Sequence, residues 1–299
     1  MSVLCMGEAL VDLVPQPDGS IRPQPGGGAW NTALTLGRLG VATSLAWPIS
    51  RDAYGALLLA PLAAAGVETS LCPRSNRPTA LARIDLNSGD ATYRFDDENS
   101  AGRIFLPAQL PPLPTDCRAL VIGGISLAAE PCGSTVEQFA TDASRRGIPL
   151  IFDLNIRPQA IQDKTEYRAR LDRLLTLSHL VKLSAEDAAW LAPDTAPDET
   201  AARILALGPR IVVLTRGAQG AMAMTRRHRL HAAAVPATVA DSIGAGDSFN
   251  AAFLASLLHG DALDSPDSAA LTAALTLATT AAAITVSRPG ADPPWADEL

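Results

Sequence analysis

The residues best placed to do chemistry lie in one stretch, "DSIGAGDSFNAAFLASLL", from Asp241 to Leu258. Gly244, Ala245 and Gly246 carry nothing larger than a methyl group and open directly into a helical run. Asp241 stands before them and Asp247 immediately after. A glycine-rich helix entry exposes unpaired backbone N–H groups at the positive end of the helix, where phosphate can bind. The small side chains allow close approach. A carboxylate in that first turn would repel a resident phosphate. Asp247 therefore makes sense as the acceptor of a proton from a hydroxyl that attacks phosphorus. Asp241 is suited to orient the water shell of Mg²⁺ or to organise a cation beside the loop. The bland alternative is a pair of helix-capping aspartates around a flexible turn. No lysine and hydroxyl follow the glycines, which excludes a Walker loop. A dinucleotide loop would follow an early strand, and this one comes late.

Short apolar runs alternate with helical patterns along the chain. "SVLCMG", "VATSLAWPIS", "ALVIGG" (119–124), "IPLIFDLN" (148–155), "HLVKLS" (179–184) and "RIVVLTRG" (210–217) read as strands. Helices are expected over "AWNTALTLGRLG", over "DAYGALLLAPLAAAG" with a break or kink at Pro61, and over 133–146, 165–177, 185–191 and 198–207. The late strands are apolar throughout, as in a parallel sheet covered on both faces. The expected fold is a three-layer α/β/α sandwich with a mostly parallel central sheet, one domain over 1–299. Residues 10–25 and 77–97 break the rhythm and predict a small antiparallel β lid, with a turn at 87–90. Its polar face (Leu81, Arg83, Asp85) is the one expected to meet a ligand, and its other face (Ala82, Ile84, Leu86) to be covered.

The net charge of −7 and the absence of a long basic run argue against a nucleic-acid groove. The opening "MSVLCMGEALVDLV" does not read as a secretory signal, and the longest apolar stretches look too short to span a membrane. Four scattered cysteines read as buried reduced thiols, consistent with a cytoplasmic location. The four histidines form no ligand pattern, and "RRHRLH" reads as the solvated edge of a hairpin.

"DSIGAGDSF" resembles the signature of the ribokinase-like carbohydrate kinases, the PfkB family. "PGGGAWNTALTLGRLG" (25–40) resembles that family's N-terminal signature, and the likeness extends from about residue 3 to residue 291. Within the family, "GEALVDLVP", "ISLAAEPCG" and "DLNIRP" look most like bacterial fructokinases. The resemblance implies that Asp247 is the catalytic base, with an anion hole from the backbone of Gly244, Ala245 and Gly246. ATP with Mg²⁺ would be the donor and a primary sugar hydroxyl the acceptor. Sugar contacts would come from Asp12, Gly27, Gly28 and Asn31, and from Asn155 and Arg157 of "DLNIRP", in which Leu154 replaces a frequent proline. In "VKLSAEDAAWL", Ser184 stands where most relatives carry asparagine, which places the acid of the metal shell at Asp187, with Lys182 near the nucleotide. Ser184 and Asp187 read equally well as a capping box. Thr215, Gly217 and Gly220 resemble the nucleotide-binding turn, and Ala278, Thr279 and Ala282 the helix flanking adenine. A monovalent cation such as K⁺ would sit beside the loop near Asp241 and Ile243.

The resulting expectation is an ATP-dependent fructokinase, homodimeric through its lid, with no nucleic-acid or membrane partner. A 2-keto-3-deoxygluconate kinase is the alternative, with Arg94 reaching an anionic sugar from the lid. A non-catalytic sugar or nucleotide sensor would have lost the base or the glycine loop, and both are intact.

Overall fold

In the computed structural model, which describes residues 2–16, 18–85 and 92–299, the apolar runs become the strands of one sheet. In chain order the elements are β1 (Ser2–Cys5), β2 (Leu10–Pro15), β3 (Ile21–Gly26), α1 (Gly28–Arg38), β4 (Thr43–Leu45), β5 (Ile49–Ser50) and α2 (Ala53–Ala64). They continue as β6 (Arg74–Ser75), β7 (Leu81–Asp85), β8 (Thr92–Asp96), β9 (Cys117–Gly123), α3 (Cys132–Arg145), β10 (Leu150–Asp153), α4 (Lys164–Leu177) and β11 (Leu180–Ser184). The chain closes with α5 (Ala185–Leu191), α6 (Pro197–Leu207), β12 (Ile211–Thr215), β13 (Ala221–Met224), β14 (Arg229–Ala232), α7 (Ala245–His259) and α8 (Ser268–Val286).

The main sheet has the order β14-β13-β12-β11-β10-β9-β1-β4. Its six strands from β12 to β4 are mutually parallel, and β13 and β14 form an antiparallel edge. Every residue of β10 is buried, because helices cover both faces and leave no solvated side to alternate toward. α1, α7 and α8 pack in series on the sheet, as do α3, α4 and α6, giving the three-layer α/β/α sandwich. The exposed arginines Arg226, Arg227 and Arg229 lie at the antiparallel edge, where a solvated hairpin was expected.

Several local expectations are corrected. "VATSLAWPIS" is two strands: after Leu45 the chain leaves the main sheet at Ala46–Pro48, and β5 pairs in parallel with β6. Pro48 has no amide with which to continue a ladder. Pro61 does not break α2, which runs on to Ala64; it falls in the last turn, where few further bonds depend on it. α8 is 19 residues long and apolar enough to cross a membrane by length and composition, contrary to the sequence reading. It packs along α7 through buried Leu271, Ala274, Leu275, Ala278 and Ala281.

The lid is a second, four-stranded sheet of order β3-β2-β7-β8. Its two hairpins are antiparallel within themselves, but β2 and β7 pair in parallel, so the sheet is mixed. The α1–β4–α2 excursion separates the hairpins and leaves their direction free, where a tight turn would have forced it. The expected turn at 87–90 and Leu86 fall outside the described residues. Cross-strand register aligns Gln24, Asp12, Ala82 and Phe95 in one row. The next row contains Arg83 and Arg94, whose side chains are 44% and 75% exposed and share Asp96.

Candidate active site

The C-terminal ends of β1, β9, β10 and β11 meet the start of α7, where ligands bind in open α/β sheets. A cavity of about 440 Å³ opens there, bordered by Glu8, Leu10, Asp12, Asn31, Phe95, Ile125, Asn155, Arg157 and residues 242–244, 246 and 247. Its size suits a small ligand.

Asp247 lies in the first turn of α7 and is 8% exposed. Asn31 Nδ2 donates to its Oδ2 at 2.7 Å, and Asn155 Nδ2 donates to its Oδ1 at 3.3 Å. Burial raises the Asp247 carboxyl above the usual carboxylate range; the Asn31 bond and the charges of Lys182 and Arg157 pull it back, and Glu8 adds to the rise. A carboxylate poised in this way can accept a proton from a hydroxyl placed in the cavity. Gly244 caps α7 at φ +78°, a left-handed conformation that glycine adopts without cost. The Ala245 amide turns back to Ser242 O at 3.4 Å, and the Gly246 and Asp247 amides that follow are the ones suited to receive phosphate oxygens at this helix start.

Asp12 is 6% exposed and borders the same cavity from the lid. Burial, with the nearby charges of Asp241 and Asp247, pushes its carboxyl up to about 7. Gly27 precedes α1 at φ +109°, where a Cβ would lie 2.3 Å from the Glu8 carbonyl oxygen, so only glycine closes this corner. The Gly28 amide donates to Glu8 Oε1 at 3.1 Å, and the Ser126 amide to Glu8 Oε2 at 3.1 Å. Glu8 thus ties the end of β1 to the start of α1 and to the turn after β9. Its carboxyl is raised by burial, against the pull of those amides and of Arg157. Sequence reasoning missed Glu8; the signal was a lone acid interrupting an apolar strand. It also missed Asp153, a buried acid at the end of β10 that pairs with Lys182.

Other expected residues are placed differently. Arg94 points away from the cavity, and its lid neighbour Phe95 lines it, because side chains alternate along β8. The lid face toward the cavity is accordingly the row of Asp12, Ala82 and Phe95, the reverse of the sequence reading. Ser184 and Asp187 form a reciprocal capping box: Ser184 Oγ accepts from the Asp187 amide at 3.1 Å, and Asp187 Oδ2 from the Ser184 amide at 2.8 Å. Asp187 Oδ1 accepts from the Ile156 amide at 2.8 Å, so this buried carboxylate holds backbone on both oxygens. Asp241 does the same, accepting from Ile243 N and Gly290 N, both at 3.0 Å. Among the described residues no group of three or more His, Cys, Asp or Glu side chains could hold a metal ion. The oxygens of Asp187 and Asp241 are engaged with backbone amides, an arrangement compatible with a magnesium ion carried mainly by nucleotide phosphates and water.

Lys182 is 4% exposed and pairs with Asp153, with its ammonium against the Gly246 turn. Ala278 is fully buried in the helix packing, and the Thr279 hydroxyl donates back to Leu275 O and Thr276 O. Thr215, Gly217 and Ala282 remain at least partly accessible, and Gly220 is buried in its turn against Ala232.

Residues 1–298 match the model of the pfkB family carbohydrate kinases. The chain belongs to that family. It is an ATP-dependent carbohydrate kinase with a ribokinase-like fold. A fructokinase of Rhizobium leguminosarum bv. trifolii is 42% identical over 260 residues, covering 85% of this chain and 79% of that one. The crystal structure of a fructokinase with bound ATP from Xylella fastidiosa superposes with a TM-score of 0.90 at 26% identity, covering 97% of this chain and 93% of that one. Aminoimidazole riboside kinase from Salmonella enterica, complexed with aminoimidazole riboside and an ATP analog, gives a TM-score of 0.88 at 25% identity, covering 100% and 98%.

Proposed function

We propose that this kinase transfers the γ-phosphoryl group of ATP to the primary hydroxyl of D-fructose, giving fructose 6-phosphate. The observation that carries the reading is Asp247: a buried carboxylate on the cavity wall, at a helix start suited to phosphate and held by two amide side chains. Asp247 takes the hydroxyl proton as the sugar oxygen bonds to the γ-phosphorus. The bond from that phosphorus to the bridging oxygen breaks, and ADP leaves. The α7 amides of the Gly244–Gly246 loop receive the charge on the transferring group. Asp12, Gly27, Gly28, Asn31 and Asn155 hold the sugar. Arg157, at the cavity rim, faces the anionic side of the reaction.

Fructose is favoured over an anionic sugar by charge. Among the described residues lining the cavity, Glu8, Asp12 and Asp247 are acids and Arg157 is the only cation. Arg94, the lid cation that could have met an anionic sugar, pairs with Asp96 and does not line the cavity. We read the chain as one catalytic unit whose lid closes over the sugar and pairs with the lid of a second copy. Magnesium would arrive with ATP. A monovalent cation would be held by backbone carbonyls near Ile243, where Asp241 stitches its loop to residues 286–290. A coupled ADP-release assay with fructose, 2-keto-3-deoxygluconate, ribose, tagatose 6-phosphate and aminoimidazole riboside tests the assignment. Fructose should give the highest kcat/KM, and a higher value for any other acceptor would replace it.

A further inference from the structure

Lys182 and Asp153 face each other across β11 and β10, at paired positions of the sheet. The Lys182 ammonium donates to both Asp153 oxygens, at 3.1 and 3.2 Å, and both residues are about 95% buried. The two ends of this ion pair reach different parts of the site. A Cβ placed on Gly246 would lie 3.1 Å from Lys182 Nζ, so the ammonium sits directly beneath the glycine loop. Asp153 shares a small cavity of about 10 Å³ with Gly28, Asn155 and Asp247, roughly the size of one water molecule.

An apolar pair of the same volume would fill this space without the desolvation cost of two buried charges. It would not supply a fixed positive charge under the loop. We propose that Lys182 is a positioning residue: gripped by Asp153, it supports the Gly246 turn from below and brings a fixed positive charge to the start of α7, where Asp247 sits. The proposal rests on the reading of Asp247 as the base.

The groups facing Asp247 come from every neighbouring element. Asn31 on α1 and Asn155 after β10 donate to it, Glu8 after β1, Asp12 on β2 and Asp153 on β10 bring negative charge, and Lys182 and Arg157 bring positive charge. Arg157 is solvent-exposed and therefore screened, whereas Lys182 acts through the protein interior. Burial draws the Lys182 ammonium down, but the combined charges of Asp153, Asp187 and Asp247 outweigh it and hold Lys182 protonated.

The test is the pH dependence of kcat/KM for the sugar in the wild type, Lys182→Met, Asp153→Asn and the double variant. Removing the cation should move the acid limb to higher pH, by on the order of one unit. Removing Asp153 should move it to lower pH, because a repelling charge is lost. The double variant leaves no unpaired buried charge and should return the limb toward the wild-type position. KM for ATP should stay within about twofold in all three, far from the tenfold that a lost contact of 1.4 kcal/mol would give. If Lys182→Met fails to fold, Lys182→Gln, which also removes the charge, takes its place in the comparison with the wild type. Limbs that stay in place in folded variants would overturn the proposal, as would a rise in KM for ATP as the main effect of Lys182→Met. A wild-type profile with no acid limb would remove the Asp247 reading and this proposal with it, so the two failures are distinguishable.

Discussion

Asn31 and Asp247 lie 216 positions apart and meet in a 2.7 Å hydrogen bond between the first turns of α1 and α7. The amide donates to one carboxylate oxygen, and Asn155 Nδ2 donates to the other at the longer distance of 3.3 Å. Asn31→Ala should lower kcat by roughly 10–100-fold, part of the 10²–10⁴-fold that a general base contributes. KM for ATP should change little. Steady-state kinetics with both substrates varied checks this, and an unchanged kcat would show that Asp247 is oriented by other groups.

Asp12 gives a pH dependence with a definite sign. Its carboxyl is raised to about 7, chiefly by burial. The folded protein therefore holds this proton more tightly than the unfolded chain, and stability is lost as pH rises from the usual carboxylate range toward 7. Asp12→Asn should remove that loss, raising stability at pH 8 by at most a few kcal/mol while weakening sugar binding. Thermal melts of both proteins between pH 5 and 8.5 test it. Parallel Tm curves across the range would contradict the assignment.

A Cβ at Gly246 would press on Lys182 Nζ at 3.1 Å, so a branched side chain there must displace that ammonium. Gly246→Val should impair phosphoryl transfer more than sugar binding, by crowding the helix start where phosphate is received. Normal ATP kinetics in a folded variant would remove the anion-hole role.

The lid prediction concerns Phe95, which lines the cavity in the same row as Asp12. Phe95→Ala should raise KM for the sugar by about tenfold, consistent with the roughly 1.4 kcal/mol that corresponds to a tenfold change. KM for ATP should hold. Light scattering at micromolar protein tests the paired lids, and a single species near 31.1 kDa with and without fructose would mean a monomer.

Much of this architecture was legible from local patterns. The parallel strands announced themselves as short apolar runs, and "GAGD" as a helix start bracketed by acid. What could not be read was the orientation of single side chains. Arg94 and Phe95 are adjacent, and only the strand register decides which one meets the ligand. The neighbouring strand brings Asp153 opposite Lys182, a partner that the local sequence could not show. Ser184 and Asp187 admitted two readings, and the Ile156 amide, supplied by a distant loop, completes the structural one. Glu8 was hidden because its partners Gly28 and Ser126 come from separate parts of the chain.

The central claim is that Asp247 accepts the proton of the sugar hydroxyl. The direct measurement is single-turnover phosphoryl transfer by Asp247→Asn, with ATP binding followed by calorimetry on the same preparation. The substitution keeps size and removes basicity. The predicted result is unchanged ATP affinity and a transfer rate reduced by roughly 10²–10⁴-fold. A folded variant that kept more than about half of the wild-type rate, against that expected loss, would contradict the account.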